Sequence, residues 1–458
     1  METSIGVGGL SQSKDDVVTS MFDLFSPPQI ENGIARTVNE TFRPIAGTNP
    51  DTRSFEFLIP ADPQKFTEAE SLLLHGRMKV RKVDGQGQKS DLAAGERVSL
   101  INNWCDSLFK SVKVYMGVNA IDISDPSSHA YAYKSYLENH LSYGAAAKEV
   151  VLPSRGYDKD TPGKIDDVGT DTANSGNKKF ESKRALLLKN GFIDFSIPVH
   201  SDFCTIARFI PPNIEIQMRF EKNETNFVLM APTDTNTYAI ELEKVKITID
   251  RHIPSAQVMK YYNEQVRAGK KVRLPMDRSI VKTYPVPTGS TDLSKYNFFS
   301  QSQLPEQILI GMVESSAYNG SIKQSPYNFQ QFNFQEGSLV CNGFHEPSQK
   351  YVLGAGEEGG AELYMAFLRN TGVSVDDREF SVSMKDFLNY GTFLLAFDRE
   401  HDKCNRLHRH FHDSGTIDIN LKVSQPSTSN ITVIVYATYS TELIIDPATN
   451  EVQRTLIL

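Results

Sequence analysis

The two halves of this 458-residue chain repeat one order of predicted elements. An alternating segment that ends in a glycine turn, SLFKSVKVYMGVNAI (Ser107–Ile121), is echoed in looser form by QFNFQEGSLVCNGF (Gln331–Phe344). In each half a helical pattern follows, HAYAYKSYLENHLSYG (His129–Gly144) in the first and GGAELYMAFLRNTG (Gly359–Gly372) in the second. Element order alone can match by chance among β proteins, so a duplication requires further support.

That support comes from spacing and from the strands that close each half. Gly191 and Gly391 lie 200 residues apart, as do Cys204 and Cys404. The first half then closes with IEIQMRF and IELEKVKITID, and the second with IDINLKV and ITVIVYATYS. About 200 residues per copy with roughly eight strands is the size of a jelly roll. The sequence therefore predicts an all-β fold of two tandem eight-stranded jelly rolls, with a few short helices in the loops and the linker.

The predicted division of the chain follows from this repeat. Residues 1–20 are expected to form a flexible N-terminal arm, 21–253 the first jelly roll and 270–458 the second. Between them, residues 254–269 carry apolar side chains at helical spacing, which predicts a helical linker. The polar stretch Arg155–Arg184 predicts a long exterior loop, because it is rich in Gly, Asp, Asn and Lys and poor in aliphatic residues.

Composition limits the function classes. The 26 Phe and 18 Tyr favour strands. A net charge of -8 argues against a surface that coats nucleic acid, so no direct sequence-specific nucleic-acid binding is expected. The start of the chain does not resemble a signal peptide, and no apolar run reaches the length of a membrane span, which predicts a cytosolic or nuclear protein. The four cysteines form no CxxC pair and are expected to be reduced thiols.

One glycine-rich segment resembles a dinucleotide loop. GAGEEGG places Gly354, Gly356 and Gly359 in GxGxxG spacing before a helical pattern. However, the strand pattern before it is short, and Glu357 and Glu358 would repel a pyrophosphate at the helix N-terminus. We therefore expect a flexible loop and no cofactor.

The stretch HDKCNRLHRHFHD contains the residue types that bind zinc. Its candidate ligands are His401, Cys404, His408, His410 and His412. Two interleaved arginines raise the local positive charge, which favours an exposed basic loop; an inter-subunit or pH-sensitive contact is a third interpretation. No P-loop, HExxH or GxSxG motif is present. The sequence thus predicts no catalytic, cofactor-binding or metal-binding residues.

Several segments together resemble the hexon-like capsid proteins of Polinton/Maverick and adintovirus-type DNA elements and their uncharacterised invertebrate relatives. They are DLFSPPQ, ETFRPI, SLFKSVKVYMGVNAI, AYKSYLENHLSYGAAAK, the stretch Leu304–Gly343, YGTFLLAFD and ITVIVYATYSTELIIDPATN. The resemblance implies a double jelly-roll major capsid protein that forms homotrimers, which tile an icosahedral shell as pseudo-hexagonal capsomers. The implied partners are neighbouring capsomers, penton proteins and minor capsid proteins. The implied location is the virion, after synthesis in the host cytoplasm and assembly there or in the nucleus.

Two expectations and one alternative accompany this resemblance. The first signature strand ends in Gly117-Val118 where relatives tend to carry Asn-Gly, which predicts a different turn type. The loop aromatics Tyr318, Tyr327, Phe329 and Phe332 are expected to lie at contacts between subunits. The alternative is a carbohydrate-binding or enzymatic β-sandwich of jelly-roll type, or a minor capsid protein.

Overall fold

The computed structural model describes residues 32–47, 52–117, 119–121, 128–170, 174–234, 237–301, 303–373, 381–400 and 413–456. Within these ranges the chain forms twenty β-strands and nine α-helices. All strands of the four large sheets pair antiparallel. The sheets form two lobes that follow one another along the chain.

The first lobe contains strands β1–β11. These are β1 (Ile34–Phe42), β2 (Ser54–Ile59), β3 (Phe66–Val83), β4 (Lys89–Ser90), β5 (Ser99–Leu100), β6 (Phe109–Met116), β7 (Asn119–Ala120), β8 (Ile193–Pro198), β9 (Ile216–Lys222), β10 (Leu229–Met230) and β11 (Thr237–Pro254). One sheet has the order β1-β11-β3-β8, with β4 also paired to β3, and the facing sheet has the order β2-β9-β6-β7. The short strands β5 and β10 pair with each other.

The second lobe contains strands β12–β20. These are β12 (Val272–Val286), β13 (Lys295–Gln301), β14 (Gln307–Glu314), β15 (Phe334–Cys341), β16 (Phe344–Val352), β17 (Leu394–Asp398), β18 (Gly415–Val423), β19 (Ile431–Asp446) and β20 (Glu451–Leu456). One sheet has the order β12-β19-β14-β17, with β20 paired to the end of β19, and the other has the order β13-β18-β15-β16.

The two lobes share one winding. If the eight main strands of each lobe are counted along the chain, both lobes have the sheet orders 1-8-3-6 and 2-7-4-5. In the first lobe the eight are β1, β2, β3, β6, β7, β8, β9 and β11; in the second they are β12–β19. Two four-stranded antiparallel sheets wound in this way form a jelly roll. The predicted fold class of two tandem jelly rolls with short helices is therefore confirmed.

The helices lie in the connections. They are α1 (Trp104–Ser107), α2 (Ala130–Ser142), α3 (Ala145–Val150), α4 (Lys178–Leu187), α5 (Thr225–Val228), α6 (Ala256–Arg267), α7 (Ser315–Tyr318), α8 (Gly360–Asn370) and α9 (Met384–Asn389). The three predicted helical patterns correspond to α2, α6 and α8. Both α2 and α8 connect the fifth strand of a lobe to the sixth, so the repeated order found in the sequence holds in the structure.

The alternation of apolar and polar side chains along most strands determines which face of each sheet is buried. In β2, Phe55, Phe57 and Ile59 point into the first sandwich and are buried, while the intervening side chains are partly exposed. Strand β14 differs because almost all of its residues are buried, on both faces. Gly311 in β14 leaves room for the ring of Phe329, which covers the face turned away from the second sandwich. A β-carbon at this position would overlap that ring.

The structure changes which residues of the two halves are equivalent in one turn of the repeat. Gly191 and Gly391 both lie in the turn before the sixth strand of their lobe. However, the residue with positive φ in that turn is Asn190 in the first lobe (54°) and Gly391 in the second (79°). Asn190 replaces glycine there because its short amide tolerates this backbone conformation and hydrogen-bonds the backbone of Leu92 in both directions. The two turns therefore match with an offset one residue longer than the glycines suggest.

The polar stretch Arg155–Arg184 is partly exposed but is not one long loop, so the prediction of an exterior loop holds only in part. Its last part begins α4, whose first turn is capped by the Asn177 side chain accepting from Lys179 N at 3.2 Å. Phe180 and Lys183 are buried. The preceding residues 156–177, described on both sides of 171–173 and called the strap below, pack against the second lobe. The packing of the strap was not predicted from its polar composition because several of its polar groups are hydrogen-bonded to protein partners.

Candidate functional site: the junction between the lobes

At the junction between the lobes, each hydrophobic core contains side chains from both halves of the chain. The hydrophobic core of the first lobe also contains Leu274 and Met276 of β12, Leu443 and Ile445 of β19, and Val452 of β20. The core of the second lobe in turn contains side chains of the first half. These include Ile101, Tyr133, Tyr136, Leu137, Leu152, Tyr157, Phe180, Phe227 and Met230. Because each core is completed by the other half, the two lobes are held as one body.

An aromatic cluster lies at the centre of this junction. The ring of Tyr136 on α2 stacks on the ring of Tyr327 with centroids 4.1 Å apart. Tyr133, one turn earlier on α2, contacts Tyr327 edge-on at 5.6 Å and stacks near Tyr318 at 5.8 Å. The Tyr327 hydroxyl is hydrogen-bonded to Ser107 Oγ at 2.5 Å and donates to the carbonyl of Ala132 at 3.2 Å. The hydroxyl of the buried Tyr327 ring therefore has two hydrogen-bond partners.

The cluster corrects the prediction that Tyr327 and Phe329 lie at contacts between subunits; for Tyr318 and Phe332 it stays a prediction. Tyr327 and Phe329 are each only 1% exposed within a single chain, and the other two are half-buried. Tyr318 and Phe329 both contact Tyr133 of the first lobe. Replacing Phe329 by aspartate would consequently bury a charge in this cluster and disrupt the chain itself, before any contact between subunits.

The strap joins the first lobe to the turn that precedes β17. Asp166 accepts from the backbone N–H of Ser325 at 2.7 Å and also from the side chain of Asn328. Ile165 lies against the α-carbon of Gly391, where a β-carbon would overlap it. Lys159 forms an ion pair with Asp386 of α9 at 3.2 Å. Burial raises the pKa of Asp166, although its hydrogen bonds with Ser325 and Asn328 favour the charged form.

The C-terminal hairpin connects the second half of the chain back to the first lobe. Strand β20 pairs with the end of β19, beyond the sandwich of the second lobe. The side chain of Asn119 in β7 donates to the carbonyl of Val452 in β20. Gly117 lies close to the backbone of Asn450 in the hairpin turn. The strap and the C-terminal hairpin thus hold the two lobes together at two separate places.

Charged side chains of α2 form a buried polar network beside the aromatic cluster. Lys134 pairs with Asp202 at 2.5 Å, and Asp202 also accepts from the backbone and the hydroxyl of Ser279 in β12, at 3.0 and 3.1 Å. Glu138 accepts from His200 Nδ1 at 2.6 Å and from the hydroxyl of Tyr436 in β19 at 3.2 Å. Through Ser279 and Tyr436 the network connects α2 to the second lobe.

The pKa values in this network are shifted by burial and by neighbouring charges. Burial raises the pKa of Asp106 to about 6, although His200 and the Tyr131 hydroxyl favour its charged form. Burial alone would lower the pKa of His200, but the charge of Asp106 and the hydrogen bond with Glu138 raise it above its usual value. For Glu138, Lys134 and His200 outweigh burial and lower the pKa. The surroundings therefore favour the neutral form of Asp106 but the charged forms of His200 and Glu138.

This network was missed by sequence reasoning. Lys134, Glu138 and His140 lie within the helical pattern His129–Gly144, from which no role was predicted for charged residues. The composition of α2 could have indicated the network. This helix has aromatic and charged residues on all sides, so any face that packs against the fold buries some charged side chains. Asp202 and His200 follow β8 and offered no pattern of their own.

The structure describes the glycine-rich segment but not the His/Cys stretch. The segment with Gly354, Gly356 and Gly359 lies between the edge strand β16 and α8, in a setting of antiparallel strands. The stretch from His401 to His412, with all five candidate ligands, lies outside the described residues. Within the described ranges, no group of three or more His, Cys, Asp or Glu side chains is arranged to hold a metal ion. In the same part of the chain, no helix is long and apolar enough to cross a membrane.

Outward-facing apolar side chains are the candidates for contacts with other chains. The most exposed large ones are Val150, Phe344 at the β15–β16 turn, Tyr296 on β13 and Tyr261 on α6. Phe344 follows Asn342 and Gly343, which both have positive φ, as a tight hairpin turn requires. The corresponding turn of the first lobe begins at Gly117, whose φ is 59°; its next residue is outside the described ranges.

Comparison with known proteins agrees with this architecture. No protein-family model matches the chain. A relative in Caenorhabditis elegans, the uncharacterised protein F54H12.2, is 21% identical over 300 residues, which are 65% of this chain and 68% of the relative. Among solved structures, a chain of the Sputnik virophage superposes with a TM-score of 0.56 at 9% identity, covering 99% of this chain and 94% of the other.

Two major capsid proteins superpose at a similar level. For the Faustovirus protein the TM-score is 0.52 at 10% identity, with 92% of each chain covered. For the mavirus protein it is 0.51 at 9% identity, with 100% of this chain and 97% of the other covered. At such identities the likeness concerns the fold alone. The described part of the chain therefore has the double jelly-roll fold seen in viral capsid proteins.

Proposed function

We propose that this chain is a major capsid protein of an icosahedral DNA virus or virus-derived element. The observation that carries the proposal is the pair of jelly rolls with identical strand order, held as one body by shared cores. Three such chains around a three-fold axis present six similar lobes, which is the geometry of a pseudo-hexagonal tile. The likeness in fold to the Faustovirus and mavirus major capsid proteins supports the same role.

The proposed role is structural and uses no catalytic residues or cofactors. Its partners are two further copies of the chain in a homotrimer, then neighbouring capsomers, penton proteins and minor capsid proteins. The proposed location is the virion, after synthesis in the host cytoplasm. The resemblance of segments such as Leu304–Gly343 supports a lineage near the Polinton/Maverick and adintovirus-type elements.

We also propose that the chain divides by strand order as its sequence suggests: an arm over 1–20, jelly rolls over 21–253 and 270–458, and a linker over 254–269. The helix α6 and the order of strands support this division. The residues of the arm lie outside the described ranges. Because the cores are shared across the linker, the two jelly rolls are not expected to fold separately.

The test is the assembly state of the purified full-length chain. Light scattering after size exclusion should give a mass near three times 51.2 kDa that does not change with protein concentration over the range used. Electron microscopy should show particles with a hexagonal outline that pack into hexagonal arrays. A stable monomer that never forms such arrays would contradict the proposal. Binding of a glycan by that monomer would then favour the carbohydrate-binding alternative.

The expectation that His401–His412 is no required metal site stays a prediction. Elemental analysis of chelator-washed protein should find no stoichiometric zinc. Stoichiometric zinc together with unfolding of a His410→Ala variant would contradict it.

A further inference from the structure

The helix α6 has an unusual position for its length. Within the described ranges, four helices have ten or more residues, and α6 is the one in which no residue is buried. Its inner side chains Met259, Tyr262 and Val266 are only half-buried, and Tyr262 contacts the ring of Phe66 at 5.3 Å. A helix of twelve residues is marginal in water without packing on a larger face.

The outer side of α6 continues an exposed apolar surface at the end of the first lobe. Tyr261 is 64% exposed and Val258 is 40% exposed. Phe66, which contacts Tyr262, is also paired with His252 on the neighbouring strand. The ring of His252 contacts the exposed ring of Phe209, with centroids 4.5 Å apart. We call the exposed side chains Val258, Tyr261 and Phe209, with the half-buried Tyr262, the α6 patch.

The described part of the N-terminal chain begins beside this patch. The carbonyl of Gly33 accepts from the backbone N–H of Ser255, the residue before α6, at 2.8 Å. Ile34 then pairs with Pro254. The residues that precede Gly33 therefore leave the fold at the N-terminal end of α6.

The sequence of those residues is complementary to the α6 patch. Between Met21 and Ile30 the chain reads MFDLFSPPQI, with five large apolar side chains in ten residues. From Asp15 to Glu31 it carries four acidic residues and no Lys or Arg, whereas the region from α6 to Lys271 carries four basic residues and one acidic residue. Ten residues span up to about 33 Å when extended, whereas a twelve-residue helix is about 18 Å long. The segment is therefore long enough to follow the whole helix.

We propose that residues 21–30 of the same chain dock on the α6 patch, with Phe22 and Phe25 covering Val258 and Tyr261. This contact would complete the packing of α6 and keep the patch from contact with other molecules. The proposal is independent of the capsid role, because it concerns contacts within one chain and is tested without assembly.

The test is amide hydrogen exchange of the full-length protein, followed in peptides from α6. Replacing Phe22 and Phe25 by serine should accelerate exchange in α6 at least about fivefold, because the helix loses its cover. A matched control replaces Ile5 and Leu10 by serine, which removes apolar side chains from the same N-terminal region but upstream of the docking segment. The control should leave exchange in α6 unchanged. Equal exchange in wild type and both variants would overturn the proposal.

The reciprocal experiment changes the helix. Tyr261→Ser should accelerate exchange in peptides that cover residues 21–31, whereas Tyr296→Ser, at a comparably exposed tyrosine in the second lobe, should not. Protection of α6 that disappears on dilution of the wild type would identify a second copy as the occupant. Protection that appears only when lipid vesicles are added would identify a membrane surface. Either outcome overturns docking within the chain.

Discussion

The ring of Tyr136, on a helix of the first lobe, lies parallel to the ring of Tyr327, from the second lobe, with 4.1 Å between centroids and 2° between planes. Both rings are buried, and the Tyr327 hydroxyl is hydrogen-bonded within the first lobe. The lobes cannot rotate against each other without separating these rings and leaving a buried hydroxyl without partners. A tile that must present its sides at fixed angles benefits from such a joint.

The first prediction separates aromatics of the junction from aromatics of the outer surface. Phe329→Ala should lower the free energy of unfolding by about 3–5 kcal/mol, because a buried ring is removed from a packed core. Phe344→Ala should change it by less than about 0.5 kcal/mol, because that ring is exposed. Urea denaturation at one fixed protein concentration provides the comparison. Equal effects of the two variants would contradict the assignment of Phe329 to the junction.

The sequence was sufficient for the strands and for the repeat of two similar lobes, because alternation and turn residues act locally. Strands such as β2 show their buried face directly in the order of Phe55, Phe57 and Ile59. The repeated order of strands and helices then limits the fold to two similar units, and the jelly roll was the form that matched their size. The helix α6 was recognised for the same reason, since its apolar side chains recur at helical spacing.

The junction could not be read in this way because its contacts join residues far apart in the chain. Tyr327 and Phe329 lie outside strands, and their spacing does not distinguish a surface for another subunit from one for the same chain's α2. The strap is polar, and polar composition normally indicates exposure. Its carboxylate Asp166 is instead satisfied by Ser325 and Asn328 of the other lobe, which no local pattern reveals.

The second prediction concerns the buried ion pair of Lys134 and Asp202. Lys134→Met should cost about 3–5 kcal/mol, because it removes the cation that pairs with the buried Asp202 carboxylate. The matched control is Lys323→Met, which breaks an exposed pair with Asp234 and should cost no more than about 1 kcal/mol. Thermal and urea unfolding of the two variants would decide. Similar costs would show that the α2 network adds little to stability.

The third prediction is a pH dependence carried by Asp106. Burial raises its folded-state pKa to about 6, above the value of an unfolded aspartate. The folded chain therefore holds this proton more tightly, so the stability from Asp106 is present below pH 4 and is lost as the pH rises through about 6. The difference between this pKa and that of the unfolded aspartate corresponds to about 3 kcal/mol.

The variant Asp106→Asn tests this dependence. Asparagine stays neutral and can still accept from the Tyr131 hydroxyl, so the variant should gain about 3 kcal/mol relative to wild type between pH 4 and pH 7. Asp292 is the control of opposite sign, because its hydrogen bonds with Ser294 lower its pKa. Asp292→Asn should lose stability relative to wild type as the pH rises. A flat difference curve for Asp106→Asn would contradict the burial of a neutral carboxyl.

The last prediction tests the contact between the strap and the second lobe. Gly391 and Gly289 both have φ near +80°, so alanine imposes a similar backbone strain of about 1 kcal/mol at either position. Around Gly289 the space for a β-carbon is open, whereas at Gly391 it is filled by Ile165 of the strap and by Asn328. Gly391→Ala should therefore cost at least about 1–3 kcal/mol more than Gly289→Ala. It should also expose the strap, so limited proteolysis should cut within residues 156–177 faster in Gly391→Ala than in Gly289→Ala or wild type. Rapid cleavage of the strap in the wild type would show that this segment is exterior after all.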